Sequence, residues 1–212
     1  KELKEILNKQ IKKSSSHNLK IYCWRGGLRS ASLARFAYLL GLNAVLLDGG
    51  YKTYRTWSLK QFEKKWPLRL IGGKTGTGKT SLLQELSKMK ISTIDLEGLA
   101  NHKGSSFGGL GLSPQPSCEQ YENLLAEELL KSENSLSKGI WLEAESASLG
   151  KCRIPNKLFT QMKSAPVLLI KKSRKERVQI LVKEYSQHDK DQLKEATLRI
   201  SKRLGPERTT KA

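Results

Sequence analysis

Cysteine is scarce in this chain of 212 residues: Cys23, Cys118 and Cys152 form no C-x-x-C pair and no even framework. That excludes a small scaffold stapled by disulfides. Long apolar runs are missing too. None approaches the roughly 20 residues that cross a bilayer, and no signal peptide is expected. These absences predict a protein of the reducing cytoplasm with no membrane partner. Histidine is rare, and His17 and His188 have no partner at ligand spacing, so both read as surface residues. There is no internal repeat and no long low-complexity tract.

Acidic residues are few as well, 20 against 39 Lys and Arg, for a net charge of +19. The excess is uneven. Residues 1–66 carry 14 basic and 4 acidic side chains, 67–150 carry 8 and 10, and 151–212 carry 17 and 6. Two basic segments flank a nearly neutral centre, which points to a polyanionic partner, nucleic acid before membrane.

That centre opens on the strongest motif. From Gly73 the chain reads G-x-x-x-x-G-K-T, with Gly76 and Gly78 inside it and Lys79-Thr80 closing it. An apolar run, 68–71, leads in and a helical pattern, 81–86, leads out. This is the strand, glycine loop and helix start of a phosphate-binding loop. The glycines let backbone N–H groups turn toward an anion, Lys79 would reach outer phosphates, and Thr80 would offer its hydroxyl to Mg²⁺.

Around the motif the pattern alternates strands and helices. Helices are expected over 2–12, 31–40 (ended by Gly41), 118–131, 155–163, 173–186 and 191–204, with strands over 19–22, 44–47, 91–96, 140–142 and 167–170. Ser117/Gln120 and Ser173/Glu176 read as capping boxes. Trp57, Phe62 and Trp66 fall in a basic helical linker, and Pro67 marks a boundary between domains 1–66 and 67–212. Such alternation implies an α/β fold with a mostly parallel sheet.

A second motif lies upstream. Cys23 follows a strand and precedes a helix, with Arg25, Arg29 and two glycines beside it. A free thiol titrates near ~8.5, and lowering it by ~2 units requires about 2.7 kcal/mol. A helix dipole supplies only ~0.3–1 kcal/mol. The arginines and inward N–H groups must supply the rest, and the same cradle would hold an oxyanion. The spacing C-x₅-R-S also matches a phosphatase-type loop, although Tyr22 stands where a phosphatase has histidine.

Asp95, Glu97, Glu143 and Glu145 follow apolar strands near the phosphate loop, where they would contact Mg²⁺ or substrate, or simply be solvated strand ends. The segment 102–106 reads as an anion-binding lid or a surface loop. The basic residues Lys171, Lys172, Arg174, Lys175, Arg177, Lys194, Arg199, Lys202 and Arg203 read as a solvated face or as contacts to an RNA backbone.

The run from Cys23 to Ser30, with Asp48-Gly49-Gly50-Tyr51, resembles a rhodanese-type chalcogen-transfer domain. Fused to a phosphate-loop domain, it resembles the tRNA 2-selenouridine synthase family, most specifically through 95–108, and further through Glu143-Ala144-Glu145-Ser146, Ile154-Pro155 and Arg203-Leu204-Gly205. The resemblance implies a partial rhodanese-like domain, a P-loop NTPase-like parallel-sheet domain and a basic helical C-terminal end. It implies a transferase that geranylates the wobble 2-thiouridine of tRNA from geranyl diphosphate and then replaces the geranylthio group with selenium from selenophosphate. Cys23 would carry the selenium, Arg25 and Arg29 would hold the phosphate end of selenophosphate, and no cofactor would be tightly bound. Only 22 residues precede Cys23 and the chain opens on Lys1, so a fragment is expected, inactive in selenation by itself. Two other functions fit the residues: an ATP-dependent kinase with a sulfurtransferase-like remnant, and a non-enzymatic RNA-binding fragment.

Overall fold

A computed structural model describes residues 19–133 and 139–211. The helix expected over 2–12 lies outside them. The chain divides into two compact units between Lys60 and Gln61, six residues ahead of the sequence-based boundary at Pro67. The difference has a physical cause. Phe62 and Trp66 are buried, the Trp66 indole N–H donates to Gln61 O at 2.7 Å, and Gln161 donates to Phe62 O and Lys64 O. The supposed linker is therefore wall material of the second unit.

In the first unit, β1 (Leu19–Ile21) and β2 (Ala44–Leu46) pair in parallel. Helix α1 (Leu28–Leu39) crosses between them, and α2 (Gly50–Gln61) follows. Leu19, Ile21 and Ala37 form its small core, with Ala34, Leu40, Leu42 and Ala44 packed against it. The strand at 44–47 reads as buried from its composition, yet Val45 is 52% exposed. A two-stranded sheet has too little surface to cover both of its faces.

The second unit has a four-stranded parallel sheet in the order β4-β5-β3-β8. Its strands are β3 (Leu68–Gly72), β4 (Thr93–Ile94), β5 (Ile140–Glu143) and β8 (Val167–Leu169). Helices α3 (Lys79–Lys88), α4 (Leu96–Ala100), α5 (Cys118–Lys131) and α6 (Asn156–Ser164) connect them, with a hairpin of β6 (Ser148–Leu149) and β7 (Cys152–Arg153). The central strands read LRLI and IWL, with all but Arg69 and the half-buried Trp141 covered, as helices packed on a parallel sheet require. Ile71, Ile94, Ile140, Leu142, Tyr121, Leu125 and Leu158 are sealed from solvent. Edge strand β8 is apolar but about half exposed.

The C-terminal end is helical: α7 (Arg174–Tyr185), α8 (Lys190–Arg199), α9 (Ser201–Leu204) and α10 (Pro206–Lys211). Ser173 and Glu176 make the expected reciprocal capping box on α7. The last expected helix is interrupted at Ile200, which ends α8 and opens α9. No helix among the described residues is long and apolar enough to cross a membrane.

Candidate functional site

Strand β3 feeds the phosphate loop, and Gly78, at φ +88, is the N-cap of α3. Thr77 closes the turn by donating its hydroxyl to Lys74 O at 2.8 Å. The Lys79 ammonium donates to Gly73 O at 3.3 Å and stands 3.8 Å from Glu145 Oε1. Gly73, Gly76, Gly78, Lys79 and Thr80 together line a cavity of about 610 Å³.

Carboxylates gather on the same side. Glu97, Glu143 and Glu145 each bring an oxygen within 4.8 Å of the others. Glu143, the last residue of β5, is fully buried, and neither oxygen has a hydrogen-bond partner in ordinary geometry. Burial pushes all three above the usual carboxylate range. The nearby Thr80 hydroxyl opposes this for Glu143, and Lys79 opposes it for Glu145. Glu97 reaches about 8, through burial first and the charges of Glu143 and Glu145 next. Three carboxylates crowded in low dielectric cannot all ionise without a cation. An all-oxygen set completed by the Thr80 hydroxyl suits Mg²⁺, a hard ion, rather than a softer metal.

Asp95 also lines the cavity, close enough for its charge to help raise Glu97 and Glu143. The strand expected to run to residue 96 stops at Ile94, because Asp95 caps α4, accepting from Gly98 N at 2.7 Å. Glu97 accordingly sits in the first turn of a helix and not at a strand end. The glycine-serine segment comes in beside it. A Cβ on Gly104, at φ +62, would lie 2.6 Å from Glu145 Oε2 and 2.8 Å from Glu97 Oε1. Ile180, Glu184 and Tyr185 of α7 also line the cavity. Sequence reasoning placed α7 correctly and missed this role, counting Arg177 with an RNA-facing set. The capping box signals where the helix begins, but nothing local signals what it covers.

In the first unit, Cys23 is half-buried at the end of β1, while Arg25 and Arg29 are exposed. Helix α1 begins at Leu28, three residues before expectation, so Arg29 and Ser30 fall in its first turn. Cys23 Sγ lies 3.3 Å from Ser30 Oγ, and that hydroxyl also donates to Gly27 O at 2.9 Å. The thiol is lowered to about 6, by the Ser30 hydroxyl first and then by the backbone N–H groups of Ser30, Arg25 and Gly27, against a burial cost. Ser30 has one proton for two acceptors, so it turns from Gly27 to sulfur as the thiol ionises. This role of Ser30 was not read from the sequence, although the residue closes the C-x₅-R-S spacing.

The Asp48-Gly49-Gly50-Tyr51 turn grips the loop main chain to main chain. Tyr51 N donates to Cys23 O and Lys52 N to Trp24 O, both at 2.9 Å. A Cβ on Gly50, at φ +63, would fall 2.2 Å from Cys23 O. Of the other cysteines, Cys118 is exposed and Cys152 is buried, with its thiol raised by burial.

Fold and site define a phosphate-loop α/β protein with a carboxylate cluster beside the loop and, in a separate unit, a cysteine whose thiol is lowered by the Ser30 hydroxyl and loop N–H groups. The family model for the tRNA 2-selenouridine synthase AAA domain matches residues 66–212, and the chain belongs to that family. It is 36% identical over 211 residues to tRNA 2-selenouridine synthase of Marinobacter nauticus, covering 90% of this chain and 56% of the relative. The protein of that name from Alcanivorax borkumensis is 38% identical over 168 residues, 78% of this chain and 45% of the relative. The chain spans about half the length of the curated relatives it matches. Among solved structures, AMPPCP-bound DnaA from Aquifex aeolicus aligns at 18% identity and a TM-score of 0.31, over 65% of this chain and 50% of that one. That likeness is too slight to carry an argument.

Proposed function

We propose that this chain is part of an enzyme that converts the wobble 2-thiouridine of tRNA to 2-selenouridine through a geranylated intermediate. Cys23 carries the selenium, and the phosphate loop holds the diphosphate of the geranyl donor. The observation that carries this reading is the extent of the family match. At 36% identity it covers 90% of the chain, more than the second unit alone supplies.

The geometry supports each part. A thiol at about 6 is mostly thiolate at neutral pH, as a carrier of selenium needs. The loop N–H groups, with Arg25 and Arg29, are suited to the phosphate end of selenophosphate. In the second unit, Lys79 and the loop backbone suit a diphosphate. Glu97, Glu143, Glu145 and Thr80 would hold Mg²⁺, which would offset the charge of a departing diphosphate. Leu112, Ile180 and Tyr185 line the same cavity and suit a short hydrocarbon better than a wholly polar ligand. Exposed Lys171, Lys175, Lys194, Arg199 and Lys202 supply cations for a tRNA backbone.

The test is mass analysis of nucleosides from 2-thiouridine tRNA incubated with the chain, Mg²⁺ and geranyl diphosphate. Geranylated 2-thiouridine is expected with the native chain and lost in Lys79→Ala. Unchanged tRNA together with ATP turnover would replace this reading with phosphoryl transfer.

A further inference from the structure

We infer that Arg177, carried by α7, clamps the phosphate groups of whatever anion occupies the phosphate loop, with Lys172 as a second cation at the loop's helical end. This rests on the reading of the loop as a diphosphate site, and adds a ligand-binding group from a helix outside the motif.

Three observations meet on Arg177. Helix α7 rests directly on the loop: a Cβ on Gly76, at φ +81, would lie 2.9 Å from Arg177 O and 3.1 Å from Leu181 Cγ. The guanidinium reaches the loop itself, Nη1 donating to Thr75 O at 3.3 Å. Its Nε is shut off from solvent and has no hydrogen-bond partner. A guanidinium placed only for structure would satisfy its buried N–H, because leaving one unmade is costly. Here one donor makes a long bond to a neutral carbonyl while a second waits unused. Nε and Nη2, side by side and separate from the Nη1 that meets Thr75, form the fork that binds two oxygens of one phosphate. Lys172 adds charge nearby, its Nζ lying 3.6 Å from where a Gly78 Cβ would be.

The helix that carries the clamp is lightly held. None of its residues is buried, and Val178 and Val182 are 48% and 60% exposed. Among the described residues, the Arg177 bond, the packing of Leu181 on the loop, the Lys103–Glu184 ion pair and the Phe107–Tyr185 ring contact tie it down. An anion gripped by Arg177 would therefore add a large share of the force seating α7 over the cavity.

The test is calorimetric titration of the 212-residue chain with inorganic pyrophosphate and Mg²⁺, read together with hydrogen exchange across α7. Arg177→Ala is expected to weaken pyrophosphate binding about tenfold or more. Arg177→Lys should leave most of that loss in place, since an ammonium keeps the charge but not the fork. Pyrophosphate should slow exchange of the α7 amides in the native chain and not in Arg177→Ala. Undiminished affinity in the alanine variant, or full affinity in the lysine variant, would overturn the clamp while leaving the loop's ligand as proposed. If the alanine variant does not fold, the lysine variant decides alone. Failure of the native chain to bind pyrophosphate would remove the diphosphate reading and the clamp together.

Discussion

The Lys79 ammonium lies 3.8 Å from Glu145 Oε1 while it donates to Gly73 O, so the loop's own lysine is shared between the backbone cradle and the carboxylate cluster. An incoming anion would draw Lys79 away from Glu145, and a cation would then take its place there. Anion and cation binding should be mutually reinforcing. Glu145→Gln is expected to raise pyrophosphate affinity without Mg²⁺ and to shrink the gain that Mg²⁺ brings, by about tenfold or less. Titrations with and without Mg²⁺ check this, and an unchanged Mg²⁺ gain would break the linkage.

Glu143 is buried with neither oxygen in an ordinary hydrogen bond, and the Thr80 hydroxyl only partly offsets that cost. Replacing it with Gln should stabilise the metal-free protein by about 1–3 kcal/mol. The same change should abolish stabilisation by Mg²⁺. Thermal melts of both proteins with and without Mg²⁺ decide the matter, and a variant less stable than the native chain would contradict it.

Glu97 titrates at about 8 instead of near 4.5. Between those values the folded state holds a proton that the unfolded state has lost, so stability falls as pH rises through this window. The effect should be visible from pH ~6.5 to ~8.5 in metal-free buffer. The lowered His102 acts below this range. The lowered Cys23 acts within it and in the opposite sense, so the scan belongs in a Cys23→Ser background. The melting temperature should decline across the scan, and Glu97→Gln should flatten the decline.

Cys23 should be alkylated fastest of the three cysteines, with a rate that rises to half its plateau near pH 6. Ser30→Ala removes the largest cause of that shift and should move the midpoint toward the ordinary thiol range. Site-resolved mass spectrometry across pH reads both. A midpoint unmoved by the substitution would assign the shift to the backbone N–H groups alone.

Much of the second unit was legible because its signals are local. The glycine loop, the Ser173–Glu176 capping box and helix α5 depend on residues within a turn of one another. The misses share a non-local cause. Strand β4 is short because Asp95 turns its carboxylate to a helix N-terminus. The supposed linker at 61–66 joins the second unit because Gln161, far along the chain, accepts from Trp66 N and donates to its neighbours. Ser30 and Arg177 stood in plain sight, one in a motif and one in a basic run. Their partners, a sulfur seven residues away and a carbonyl 102 residues away, are set by tertiary packing.

The grip of Gly50 on the cysteine loop runs between main-chain atoms, from Tyr51 N to Cys23 O and from Lys52 N to Trp24 O. The main chain at Cys23 and Trp24 is thereby held by backbone atoms, while the Ser30 hydroxyl meets the sulfur. Exchanging the exposed Arg25 or Arg29 would leave those two main-chain bonds in place. Such a loop could change its exposed charges one residue at a time while its main chain stays where the Gly49-Gly50 turn holds it.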